Sequence, residues 1–80
     1  MTRVLFFGKV AEAMGRELEV DVPADGCTIA DLRKLIAAQT GADALLQKGV
    51  RASVDKQVAG EEALVSHESE VAFFSVFSGG

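Results

Sequence analysis

The residues best placed to do chemistry stand at one end of the chain. Residues 70–80 read Glu-Val-Ala-Phe-Phe-Ser-Val-Phe-Ser-Gly-Gly. A Phe- and Val-rich segment thus runs straight into Gly79 and Gly80, with a carboxylate on Gly80. Glycine has no Cβ, so such an end can thread a channel too narrow for any side chain. It would deliver the carboxylate to a partner's active site. A carboxylate is a poor electrophile until activated. Attack by its oxygen on the α-phosphate of ATP gives an acyl-adenylate, from which a thiol or persulfide can displace AMP. The plainer reading of Gly79-Gly80 is a frayed terminus that tolerates glycine.

The rest of the inventory is sparse. No G-x-G-x-x-G or Walker-type loop is present, so a partner would have to handle the ATP. No G-x-S-x-G elbow is present either. The chain has one His and one Cys, which excludes an internal disulfide, a Cys-based metal cage and a His-rich metal site. No metal and no cofactor are expected to be bound by this chain. His67, in Ser66-His67-Glu68-Ser69, reads as an exposed turn histidine, with a rim contact to a partner as the sharper alternative. Cys27 reads as a small buried hydrophobe, with a thiol activated by the following helix N-terminus as the alternative. Glu61 and Glu62 are adjacent, do not share a helix face and read as solvated surface.

Elements must position the tail. Residues 2–7 form an apolar, β-prone strand, expected to be buried on one side and covered on the other. Residues 9–14 fit a short helical turn stopped by Gly15. Residues 16–22 alternate, with Leu18, Val20 and Val22 on one face and Glu17, Glu19 and Asp21 on the other, as in a half-exposed strand antiparallel to the first. The main helix is expected over residues 28–39, with Thr28 as N-cap, Asp31 in the capping-box position and Gly41 as C-cap. Ile29, Leu32, Leu35 and Ile36 share its apolar face, and Arg33 and Lys34 are expected to point away from it. Residues 43–46 fit a further helical turn, residues 51–58 a hairpin about Asp55-Lys56, and residues 70–77 a last strand. One helix covering one face of a mixed sheet of about five strands makes an α+β roll rather than an alternating α/β fold.

In that last strand, period two separates Val71, Phe73, Ser75 and Phe77 from Ala72, Phe74, Val76 and Ser78. With Val71 and Phe73 against the helix, Phe74 and Val76 face outward. Phe7 joins Phe74 there if Val4 and Phe6 face inward. Two or three exposed phenylalanines form a patch, and patches mark interfaces. Self-packing or a homodimer is the plainer explanation of the same patch.

Composition sets the outer bounds. Eighty residues make one small domain, residues 1–80, which buries only about 60–65% of its unfolded surface. Hydrophobic residues are 49% and charged residues 25%, which excludes collagen-like and largely disordered readings. No apolar run approaches the roughly 20 residues needed to cross a bilayer. Eight Lys+Arg against twelve Asp+Glu give a net charge of −4, which argues against holding a phosphate backbone by charge alone. Neither nucleic acid nor membrane is an expected partner. A reducing, cytoplasmic compartment is expected.

Three segments carry a family resemblance. They are Val4-Leu5-Phe6-Phe7-Gly8, Thr28-Ile29-Ala30-Asp31-Leu32-Arg33, and Glu70-Val71-Ala72-Phe73-Phe74 followed by Gly79-Gly80. Over essentially the whole chain they resemble the ubiquitin-like β-grasp sulfur carriers of the MoaD/ThiS family, most closely those that serve as the small subunit of molybdopterin synthase. The family usually has Pro-Pro after its two phenylalanines and an Asn near the hairpin. This chain has Ser75-Val76 and Ser53-Val54-Asp55.

The resemblance implies that Gly80 is adenylated by a MoeB-like enzyme using ATP and, with a persulfide sulfur donor, becomes a thiocarboxylate. The tail would then enter a MoaE-like large subunit, with Gly79 as the tunnel residue, and its sulfur would build the dithiolene of molybdopterin. The chain would not be catalytic alone. A heterotetramer of two small and two large subunits is implied. Phe7 and Phe74 would dock the partner, with Val76, Phe77 and Ser78 leading into it. A ThiS-like carrier for thiamine thiazole synthesis, or a ubiquitin-like protein modifier, would share the same tail.

Overall fold

β-branched and aromatic residues at alternating positions make the N-terminal segment a strand. In the computed structural model, which describes residues 1–47 and 49–75, this strand is β1 (Thr2–Phe7). It buries Thr2, Val4 and Phe6 and turns Arg3 and Phe7 outward. After it come α1 (Lys9–Met14), β2 (Glu17–Val20), β3 (Cys27–Thr28) and α2 (Ile29–Thr40). A 3-10 turn at Ala44–Leu46 follows, then β4 (Val50–Val54), β5 (Gln57–Ala59), β6 (Leu64–Val65) and β7 (Glu70–Ser75).

Among the described residues, five strands form one mixed sheet in the order β2-β1-β7-β4-β5. β1 and β7 run parallel at its centre, with Val4 beside Val71 and Phe6 beside Phe73. The pairs β1–β2, β4–β7 and β4–β5 are antiparallel. β3 and β6 make a separate two-stranded pair that sequence reading did not anticipate. Close to where these two strands meet, Gly26 has φ +87, and a Cβ there would stand 2.7 Å from the Val65 carbonyl oxygen, so only glycine fits.

α2 begins and ends on local signals. Thr28 is its N-cap, with Oγ1 accepting the Asp31 N–H at 3.1 Å. Gly41 closes it in the left-handed region at φ 73, donating its N–H to Ala37 O. Ile29, Leu32 and Ile36 are fully buried and join Val4, Phe6, Ala52, Val71 and Phe73 in one core. Each such aliphatic side chain contributes about 1.5–3 kcal/mol by leaving water. The Phe6 and Phe73 rings stack with centroids 6.2 Å apart.

Two expectations are corrected. Arg33 does not point away from the core: it is 8% exposed. Its guanidinium donates to Leu45 O at 2.7 Å, to Val50 O at 2.8 Å and to the Glu61 carboxylate at 2.8 Å. It also lies 5.3 Å from the Phe73 ring centroid, where the cation meets the negative ring face. Arg33 therefore ties α2 to the 3-10 turn and to the start of β4, and Glu61 is the exposed end of that tie rather than idle surface. The second correction concerns β1, which is buried on its helix side only. Its other side is open among the described residues, with Phe7 53% exposed.

Candidate functional site

The sheet face away from α2 is built row by row from strand alternation. Nearest the C-terminal end of β7, Phe7, Phe74 and Arg51 stand side by side on β1, β7 and β4. The next row holds Glu17, Leu5, Ala72, Ser53 and Val58, from β2 across to β5. The row beyond holds Glu19, Arg3 and Glu70. Phe7 and Val58 are exposed, at 53% and 77%, and Leu5, Ala72 and Phe74 are partly so. Apolar character is thus concentrated at the end of the face from which β7 leads onward, and acidic residues gather at the opposite end.

The charges on this face differ in their state. Arg3 donates from Nε and Nη2 to the Glu17 carboxylate at 3.2 and 3.1 Å. That fork, helped by Glu70 and Glu19, holds the Arg3 guanidinium above its ordinary pKa. Arg51 is exposed and makes no ion pair with a described residue.

Ser75 closes β7. Its Oγ accepts the Val10 N–H at 3.1 Å. Gly8, the N-cap of α1, supplies no side-chain acceptor, and a residue far along the chain satisfies one N–H of that helix's first turn. The Ser75 hydroxyl thus joins the end of β7 to the start of α1.

Phe7 and Phe74 are thus brought together as neighbours on the exposed face. Val76, Phe77, Ser78, Gly79 and Gly80 lie outside the described residues. Cys27 is partly buried on β3, and burial, then the Asp31 charge, raises its thiol pKa, the opposite of activation. His67 is exposed in its turn, with Nε2 against the Val22 carbonyl and 4.0 Å from Asp21. Among the described residues, no group of three or more His, Cys, Asp or Glu is placed to hold a metal ion. No described helix is long and apolar enough to cross a membrane. Arg51 and Leu5 escaped the reading of the sequence. Period-two alternation from Val50 to Val54 places Arg51 opposite Ala52, but its place beside Phe74 follows only once β4 is known to neighbour β7.

A mixed sheet with parallel central strands and one covering helix is the β-grasp fold of the ubiquitin-like proteins. Within that class the chain belongs to the ThiS family, whose pattern matches residues 4–80. No curated protein matches it. Solved structures do. SAMP1 from Haloferax volcanii superposes with a TM-score of 0.78 at 22% identity, covering 99% of this chain and 98% of that one. A Pyrococcus furiosus protein described as molybdopterin converting factor, subunit 1, gives 0.75 at 16% identity, over 92% of this chain and 94% of that one. At these identities the likeness establishes the fold.

Proposed function

We propose that this chain is a sulfur carrier acting as the small subunit of molybdopterin synthase. The observation that carries the reading is the row Phe7–Phe74 on an open sheet face, on the very strand that runs on toward Gly79-Gly80. Docking through that row would register the tail against a partner's channel. Membership of the ThiS family and the fold shared with a molybdopterin converting factor subunit support it. In this reading Gly80 is adenylated by a MoeB-like partner using ATP, receives sulfur from a persulfide donor, and donates it as a thiocarboxylate inside a MoaE-like large subunit. Val76, Phe77 and Ser78 line the approach, and Gly79 occupies the narrowest part of the channel.

The likeness to SAMP1, which is named a small archaeal modifier protein, favours a second reading, a protein modifier joined through Gly80. The family match itself leaves a carrier for thiazole synthesis as a third. The deciding experiment is the intact mass of the chain purified from cells that also express its activating enzyme. A shift equal to one sulfur replacing one oxygen, localised to Gly80, is expected. Lysine-linked conjugates with an unshifted free chain would favour the modifier reading. Reconstitution with the large synthase subunit and the pterin precursor separates the molybdopterin and thiazole routes.

A further inference from the structure

The docking face is not neutral. Its apolar row ends in a cation, Arg51, beside Phe74, whereas Arg3 in the acidic row is already committed to Glu17. We infer that the partner that activates this chain receives it on an apolar pocket flanked by a carboxylate, and that Arg51 is the residue that selects for that carboxylate. This deepens the carrier reading above and rests on it.

The argument runs from charge and position. The chain carries a net charge of −4, so an acidic partner surface is repelled by it over most approaches. Seating Phe7 and Phe74 in an apolar pocket removes water from the adjacent Arg51. A guanidinium deprived of water and given no counter-charge opposes binding. No described residue supplies that counter-charge, and a carboxylate on the partner's surface beside the pocket would. At the opposite end of the face, Glu19 and Glu70 would repel the same carboxylate if the chain docked reversed. The face therefore has a polarity, cationic and apolar toward the tail and acidic away from it. One orientation satisfies both ends, and it points β7 at the activating site. Arginine beside aromatic anchors is also the combination that carries most binding energy in protein interfaces.

The test uses the full chain and the adenylating enzyme encoded in the same genome. ATP–pyrophosphate exchange gives KM and kcat for the chain at a series of salt concentrations. Arg51→Glu is expected to raise KM about tenfold or more with kcat little changed. Arg51→Gln should raise KM less and flatten its dependence on salt, and Arg51→Lys should restore most of the wild-type behaviour. Arg51 is exposed, and thermal melts confirm that each variant folds. Phe74→Ala reports on the docking face itself. A raised KM for Phe74→Ala with wild-type KM and salt dependence for Arg51→Glu and Arg51→Gln would overturn the inference and leave the docking face standing. Wild-type KM for all variants would overturn the docking face. Absence of exchange with the wild-type chain would overturn the carrier reading beneath both.

Discussion

Arg33 and Glu61 form one ion pair with two unequal ends. The Arg33 side chain is 10% exposed and the Glu61 side chain 54%. Removing the buried end leaves the Leu45 and Val50 carbonyls without their donor and opens a gap beside Phe73. Arg33→Met is expected to cost about 2–4 kcal/mol in urea unfolding. Glu61→Gln should cost under about 1 kcal/mol, since its end of the pair is solvated. Equal losses would contradict this division of labour. Cys27 makes a pH-dependent prediction. Its thiol pKa is raised in the folded chain. Below the ordinary thiol range both folded and unfolded states keep the proton, and the group contributes no slope. Above it the unfolded chain loses its proton first, so stability falls with rising pH until the folded thiol also ionises. Cys27→Ala should remove that alkaline slope in melts taken across the thiol range. In wild type, alkylation should be slower than for an unfolded control.

At the scale of elements, the β4–β5 hairpin is the informative piece. Asp55 and Lys56 have φ 50 and φ 72, as a two-residue primed turn requires. Asp55 also accepts the Glu70 N–H on Oδ1 at 2.9 Å and donates its own N–H to Glu70 O at 2.8 Å, which fixes the start of β7. An Asn at this position can supply the same acceptor and tolerates the same backbone. Asp55→Asn should leave the melting temperature nearly unchanged, and Asp55→Ala should cost about 1–2 kcal/mol by chemical denaturation. The hairpin and α2 were legible in the sequence because their signals are local: a turn pair between β-prone runs, and Thr28 and Gly41 bracketing an apolar face. Arg33 was misplaced because helical period alone puts it beside the apolar stripe. The three acceptors that draw it inward come from residues 12, 17 and 28 positions further on. The β3–β6 pair is two residues long on each side, too short for alternation to show. Phe7 and Phe74 could be placed outward by period two, whereas the row they share with Arg51 needed the strand order.

At the scale of the whole molecule, Phe73 is the last described residue to join the core. Deleting Gly80 is therefore expected to abolish sulfur transfer while leaving the thermal melt and circular dichroism of the chain unchanged. Sulfur transfer retained by the truncated chain would remove Gly80 from the chemistry. A collapsed melt would instead make the terminal residue part of the fold.

The pairing of β1 with β7 has a consequence for how the protein is made. The strand synthesised first cannot acquire its inner neighbour until residues 70–75 have emerged, so the ribosome releases nearly all of the described chain before the sheet can close. Contacts of such long sequence separation form late and cooperatively. A chain that stops short of β7 lacks the strand that joins β1 to β4 and the Phe74 side of the exposed apolar row. Such a chain is expected to stay unfolded and to be degraded rapidly by proteases. Closure of the sheet is thereby tied to the emergence of a strand almost seventy residues after the one it pairs with.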